Sequence, residues 1–158
     1  MNNSKVKEEL TKWINDTYKP NYLMTIQLPE NLKSSNIDYS TNHLQKIMQC
    51  FERHLLKRHW NKKHLPFIAF AENGISKDWH FHLLLNSQDF TDIELDIAVL
   101  KTILELDLST YCIRLDKIED GIAKVESYTL KEIKIKDFSK FDSSKIITSH
   151  NLFDISVK

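Results

Sequence analysis

Two apolar runs joined by a short polar connection constrain the fold of this chain more than any other feature. Residues 66–72 read Pro-Phe-Ile-Ala-Phe-Ala-Glu, residues 79–85 read Trp-His-Phe-His-Leu-Leu-Leu, and Asn73-Gly74 opens the connection between them. Apolar runs that flank an Asn-Gly pair are typical of a β-hairpin. The segment from about 66 to 86 is therefore predicted to form two antiparallel strands of a sheet.

The hairpin places two imidazoles on one face of a strand. Residues two apart in a strand point to the same side, so His80 and His82 share one face, and the aromatic residues before and between them share the other. With a five-residue loop at 73–77, Glu72 would lie opposite Asp78 and hence diagonal to His80 on the histidine side. One bulge in the hairpin would reverse that parity.

Two imidazoles and a carboxylate on one face are a candidate metal-binding set. Neutral histidines and an acid bind divalent ions while leaving coordination positions open for water or substrate. The alternative is that His80 and His82 are ordinary strand histidines, because the chain has seven histidines and a single His-x-His pair is a weak signal. The prediction is a metal site at Glu72, His80 and His82.

Length and composition are those of one globular domain. The chain has 158 residues, of which 41% are hydrophobic and 28% charged, and no stretch of 18 consecutive apolar residues. The N-terminal residues lack the apolar region of a secretory signal. Cys50 and Cys112 belong to no CxxC motif, so reduced core thiols are expected. Residues 1–158 are predicted to form a single cytoplasmic domain that does not bind a membrane.

The charged residues are unevenly distributed along the chain. The segment 53–64 contains no acid, three histidines and five cations, which are Arg53, Lys57, Arg58, Lys62 and Lys63, whereas residues 89–107 contain six acids and a single lysine. Segregation of this kind can direct one side of a protein toward a polyanion. The five cations are therefore candidate contacts to DNA phosphates. The alternative is that each segment is simply the solvated face of a helix.

Hydrophobic periodicity and turn residues divide the chain into alternating helices and strands. Helices are predicted at 4–16, from Ser40 or Thr41 to about Trp60, from Thr91 or Asp92 to about Leu106, and at 122–134; strands are predicted at 22–28, in the hairpin and at 110–117, with a further strand near 145–156 left open. This order favours an α+β fold with a ferredoxin-like or RRM-like antiparallel sheet of four to five strands. The helices would lie mostly on one face, and the metal site on the exposed face.

The last predicted helix carries a tyrosine and a lysine three residues apart. Tyr128 and Lys131 therefore point from the same side of the helix. A phenol can act as a covalent nucleophile, but its pKa near 10 means that it needs a nearby cation or metal to favour the phenolate. Taken alone, this pair also fits an ordinary amphipathic helix.

The histidine strand and the tyrosine helix together resemble the motifs of the HUH endonucleases. His80-Phe-His82, the upstream Glu72 and the downstream Tyr128-Thr-Leu-Lys131 are similar, in order and approximate spacing, to those of single-tyrosine rolling-circle replication initiators, the Rep proteins. The resemblance covers residues 22–134. It implies that the three ligands hold Mg²⁺ or Mn²⁺ and that Tyr128 attacks single-stranded origin DNA. The products would be a 5′-phosphotyrosyl link and a free 3′-hydroxyl, with Lys131 positioning the phosphate.

Departures from related families narrow the interpretation. The chain has no GxxxxGK[ST] phosphate loop, so no helicase domain is expected, and unwinding would depend on a host helicase that acts with a host polymerase. Position 132 is Glu where the related single-tyrosine transposases have Gln, and Glu72 stands where relaxases commonly have a third histidine. Transposase, relaxase, metal-dependent hydrolase and non-catalytic RRM-like module stay open as alternatives, as does a homo-oligomer.

Overall fold

The computed structural model of the protein describes residues 3–73, 78–118 and 146–154. The helices in these ranges are α1 (Asn3–Tyr18), α2 (Ile37–Leu56), α3 (Asp92–Glu105) and α4 (Ser149–Asp154). The strands are β1 (Tyr22–Gln27), β2 (Phe67–Asn73), β3 (Trp79–Leu85), β4 (Ile113–Lys117) and β5 (Ile146–Thr148). Short 3₁₀ turns lie at Glu30–Leu32, Lys57–His59 and Thr110–Cys112. The helix predicted at 122–134 falls outside the described residues.

The described strands form one antiparallel sheet in the order β4-β1-β3-β2-β5. The segment β1-α2-β2-β3-α3-β4 follows the split βαβ connectivity of ferredoxin-like folds. β5 extends the sheet at the β2 edge, within the region where the sequence leaves a further strand open. The predicted fold class, an α+β domain built on an antiparallel sheet, is therefore confirmed.

The helices pack on both faces of the sheet, not mostly on one as predicted. On one face, α2, α3 and α4 cover the main core, which includes the fully buried Phe51 of α2 and Phe81 of β3. On the other face, Ile14 of α1 is fully buried against Ile68 and Leu84. A five-stranded sheet has apolar positions on both sides, and α1 supplies a second apolar stripe to cover some of them.

The hairpin pairs two residues further along than predicted. Glu72 lies opposite His80, and Asn73 opposite Trp79, so the expected pairing of Glu72 with Asp78 is wrong. A slip of two residues leaves every side chain on its predicted face because the side-chain period of a strand is two. Glu72 is therefore directly opposite His80, not diagonal to it.

Local capping explains where α2 begins and ends. Asn36 is the N-cap, and its side-chain oxygen accepts a hydrogen bond from the backbone N–H of Tyr39. The predicted start at Ser40 or Thr41 is therefore several residues late, and Ser40 is fully buried inside the helix. The helix ends at Leu56 because Lys57 adopts a φ of 54°, outside the right-handed helical region.

The elements around α3 also differ from the expectation in detail. Thr91 is the predicted N-cap and forms a reciprocal capping box with Glu94. The strand predicted from Thr110 begins only at Ile113. Of the apolar residues of α3, Leu95 and Ile103 are buried, while four others at helical spacing are exposed: Ile93, Ile97, Leu100 and Leu104.

A buried acid ties the C-terminal half of α2 to the start of β2. The carboxylate of Glu52, 1% exposed, accepts a hydrogen bond from the backbone N–H of Leu65 at 2.9 Å and lies 2.6 Å from Nδ1 of His64. Burial raises the pKa of Glu52, and the His64 contact opposes that rise. His64 also stacks on Phe153 of α4, with ring centroids 4.0 Å apart. This end of the molecule is therefore closed by packing.

Within the described ranges, no helix combines the length and the apolar character required to cross a lipid bilayer.

Candidate metal centre

The three central strands change from apolar to polar along the face that carries the histidines. One row across β1, β3 and β2 consists of Leu23, Leu84 and Ile68; two residues along each strand follow Thr25, His82 and Phe70; and the last row is Gln27, His80 and Glu72. Helix α1 packs on the apolar rows. The polar row therefore lies at the end of the face that α1 does not cover.

Glu72, His80 and His82 converge as the sequence predicts. The Oε2 atom of Glu72 lies 3.2 Å from Nε2 of His80 and 3.2 Å from Nε2 of His82. The two imidazole rings are nearly perpendicular, with centroids 5.2 Å apart. All three side chains are partly buried, and His82 is the least exposed of them at 16%. One donor atom from each residue fits within 4.8 Å of the other two.

These separations suit a common divalent ion. Protein nitrogen and oxygen ligands lie about 2.1 Å from such ions, so two ligands at tetrahedral or octahedral angles are about 3.0–3.4 Å apart. The observed distances of 3.2 Å from the carboxylate oxygen to each imidazole fall inside this interval. The donor set of two imidazoles and one carboxylate also leaves coordination positions for water or substrate. The residues therefore fit a metal ion without movement of the backbone.

Thr25 of β1 supports the centre from the neighbouring strand. Its Oγ1 lies 3.4 Å from Nδ1 of His82, its cross-strand partner. A hydrogen bond to the remote ring nitrogen orients a ligating histidine and selects the tautomer that leaves Nε2 for the metal. Thr25 is not among the residues that the sequence predicts for the site. Its only sequence signal is its phase in β1, which has a meaning only once the β1–β3 register is known.

Replacing Thr25 by valine is expected to weaken Mn²⁺ binding by roughly 10-fold, because the hydroxyl that orients His82 is removed while the shape is retained. Isothermal titration calorimetry measures the change directly. Thr25→Ser keeps the hydroxyl and should bind Mn²⁺ like the parent protein. Equal affinity of the valine and serine variants would show that Thr25 does not support the centre.

A further polar pair lies on the same face at β4. Arg114 is the cross-strand partner of Thr25, and its Nε lies 2.8 Å from a carboxylate oxygen of Asp116. Because neighbouring strands are about 4.8 Å apart, Arg114 is two strands, or about 10 Å, from His82 in the plane of the sheet. The side chain of Arg114 is 75% exposed. Arg114 therefore adds a solvent-accessible cation to the histidine face.

The predicted DNA-binding segment lies at the other end of the molecule. The start of α2 is near the metal centre, since the indole N–H of Trp79 donates to the carbonyl of Ser35 at 2.9 Å. Residues 36–53 of the helix span about 25 Å, which carries Arg53 to the opposite end of the sheet. Helix α2 also packs on the face opposite the histidines. The five cations and the metal centre are thus well separated.

The acidic segment partly neutralises the basic one. Arg53 forms an ion pair with Glu105, and Lys63 lies 3.3 Å from Asp89. The remaining cations of the segment, Lys57, Arg58 and Lys62, are exposed. The charges that are segregated in sequence therefore meet across the α2–α3 side of the fold. The candidate catalytic residues Tyr128 and Lys131 lie outside the described residues.

Comparison with known proteins identifies one family. Residues 11–151 match the family of replication-associated proteins typified by ORF2, a range that includes every described strand and all three residues of the metal centre. No curated protein matches the sequence significantly.

Two solved structures from Listeria innocua also resemble the chain. One is described as a hydrolase and has 12% identity and a TM-score of 0.35, with 71% of this chain and 70% of the other covered. The second, described as an uncharacterized conserved protein, has 12% identity and a TM-score of 0.36, with 82% and 84% covered.

Proposed function

Because the chain belongs to this family of replication-associated proteins, we propose that it is a replication initiator that nicks and rejoins single-stranded DNA at an origin. The observation that carries this proposal is the convergence of Glu72, His80 and His82 on one point of an uncovered sheet face. A binding module that only stacks bases would need exposed aromatic side chains at this position. The side chains present are ligands.

The proposed chemistry divides the work between the sheet and the segment beyond it. A divalent ion held by the three ligands, Mg²⁺ or Mn²⁺, would polarise the scissile phosphate and offset the negative charge that develops on its oxygens. The Tyr128 hydroxyl loses its proton and attacks phosphorus in line with the 3′-oxygen. A phosphorus–tyrosine oxygen bond forms as the bond to the 3′-oxygen breaks.

The products define how the strand is later rejoined. The 5′-phosphate remains on Tyr128, and the other fragment leaves with a free 3′-hydroxyl, which can prime synthesis by a host polymerase. Lys131 holds the phosphate during attack. Attack of a 3′-hydroxyl on the phosphotyrosine restores the phosphodiester and the tyrosine, and this exchange requires no ATP because one ester replaces another.

The described surface suggests how DNA lies on the protein. Arg114 and Gln27 flank the metal centre and would contact the strand near the cut, whereas Lys57, Arg58 and Lys62 would contact phosphates far from it. The nuclease domain would span residues 1–158 and act, alone or as a homo-oligomer, in the host cytoplasm with a host helicase.

The decisive experiment uses a library of single-stranded oligonucleotides labelled at the 3′ end. With Mn²⁺ the parent protein should convert labelled strands into a covalent adduct that survives denaturation, because the protein becomes joined to the 5′ end of the labelled fragment. Tyr128→Phe should lose the adduct and lower cleavage by roughly 10³-fold or more. Tyr111→Phe is the matched control, since Tyr111 is an exposed tyrosine far along the chain from the proposed nucleophile.

Each alternative predicts a different result. Cleavage without an adduct, unchanged in Tyr128→Phe, would identify a metal-dependent hydrolase in which water attacks. Binding of the strands without cleavage or metal uptake would identify an RRM-like module. Loss of the adduct in both tyrosine variants would contradict the assignment of Tyr128 alone.

A further inference from the structure

A second group of metal-ligating side chains lies between α2 and α3, on the side of the sheet away from the histidine face. Cys50 and His54 are four residues apart and so share one side of α2, and Glu105 is the last residue of α3. Oε2 of Glu105 lies 3.2 Å from Sγ of Cys50 and 2.5 Å from Nε2 of His54. The three donor atoms lie within 4.8 Å of one another.

Arg53 holds the carboxylate in the orientation that such a site requires. Its guanidinium forms an ion pair with Oε1 of Glu105, so the other carboxylate oxygen, Oε2, faces the thiol and the imidazole. A second contact, 3.6 Å from Nη2 to Sγ, places the same guanidinium beside Cys50. Hydrogen bonds from outside the ligand set commonly orient ligating carboxylates and offset the charge of a thiolate. Arg53 can serve both purposes here.

The group opens onto a cavity of about 290 Å³. Cys50, Arg53 and Glu105 form part of its wall, together with Gln49 and Trp60. The cavity gives an ion a route from solvent and leaves space for a water molecule in a fourth coordination position. Cys50 is itself 4% exposed, so its sulfur is reached through this opening and not from the open surface.

We infer that Cys50, His54 and Glu105 form a second metal site, specific for a thiophilic transition metal such as Zn²⁺, that joins α2 to α3. A thiolate and an imidazole favour Zn²⁺ over Mg²⁺, which takes oxygen ligands. On binding, the Cys50 thiol releases its proton to solvent as the metal–sulfur bond forms. This site is independent of the proposed nuclease chemistry. It also departs from the expectation that Cys50 is only a packed thiol and His54 only a surface residue.

The thiolate gives the site a spectroscopic signature that the histidine face lacks. Full-length reduced protein titrated with Co²⁺ should develop a sulfur-to-cobalt charge-transfer band in the near ultraviolet. Cys50→Ser should abolish the band and His54→Ala should weaken Co²⁺ binding, whereas Cys112→Ser and His82→Ala should retain the band. Cys112 is the matched control because it is a buried cysteine outside the group.

A thermal measurement tests the same site through folding. In the His82→Ala background, Zn²⁺ at roughly 100 times its Kd should raise the Tm by about 5–10 °C, because the ion binds the folded state alone. Adding Cys50→Ser or His54→Ala should remove that rise. His54 is partly exposed on the helix, so its variant remains informative if the cysteine variant does not fold. Absence of the charge-transfer band in the parent protein, or its loss in Cys112→Ser but not in Cys50→Ser, would overturn the inference.

Discussion

Replacing His82 by alanine is expected to abolish Mn²⁺-dependent cleavage, with a loss of about 10³-fold or more, and to weaken Mn²⁺ binding by about 100-fold. His82 is the least exposed of the three ligands, and its Nε2 lies 3.2 Å from the carboxylate oxygen of Glu72. Its removal leaves one imidazole and one carboxylate, which are too few to hold the ion at a fixed position. Cleavage assays and calorimetry on the same preparation measure both losses.

The matched control for this experiment is His59→Ala. His59 is exposed in the turn after α2, at the other end of the sheet from the metal centre. Its removal should change neither metal binding nor cleavage, and both variants should retain the parent circular dichroism spectrum. Full Mn²⁺-dependent activity in His82→Ala would refute the assignment of the metal centre, whatever the result with Tyr128→Phe.

Replacing Phe81 by alanine is expected to lower the free energy of unfolding by about 3–5 kcal/mol, the usual cost of truncating a buried phenylalanine. Phe81 lies between the two ligand histidines in sequence, but it points to the opposite face and is fully buried in the main core. Surrounding side chains can fill only part of the resulting cavity because protein interiors are closely packed. Urea denaturation gives the change in unfolding free energy.

The comparison with an exposed aromatic residue makes this measurement specific. Tyr111→Ala truncates a ring that is 54% exposed and should change stability by only about 0.5 kcal/mol. His82→Ala should likewise leave most of the unfolding free energy intact, although it removes the metal. A cost below about 1 kcal/mol for Phe81→Ala would show that the two faces of β3 are not divided between core and site as described.

The metal centre could be predicted from sequence because it depends on a local period. Alternation along residues 79–85 assigns His80 and His82 to one face whatever the rest of the chain does. The position of Glu72 was less secure, since it depends on loop length. The predicted register was wrong by two residues, and an error of one residue would have moved Glu72 into the core.

Features that depend on contacts between distant segments could not be predicted in the same way. The apolar stripe of α1 fits any apolar surface, so its sequence does not reveal which sheet face it covers. Arg53 and Glu105 are 52 residues apart, and nothing local indicates that they form an ion pair. The contact between Thr25 and His82 spans 57 residues and requires the β1–β3 register. These three features were established only by the structure.

The start of α2 shows a different reason for failure. Ser40 and Thr41 are good N-cap residues by type, and so is Asn36. The choice among them is made by packing, because Ser40 is fully buried once Ile37–Leu56 lies on the sheet. Local preference therefore identified the helix, but tertiary contacts set its first turn.

The alternation along β3 has a consequence for how this sequence can diverge. Adding or deleting one residue between Trp79 and Leu83 would rotate both imidazoles into the hydrocarbon interior and expel Phe81 into water in a single event. Chemistry and folding would be lost together, and no later point substitution could restore one without the other. Descendants of this chain are therefore expected to exchange one apolar residue for another at position 81 while the spacing of the two imidazoles stays invariant.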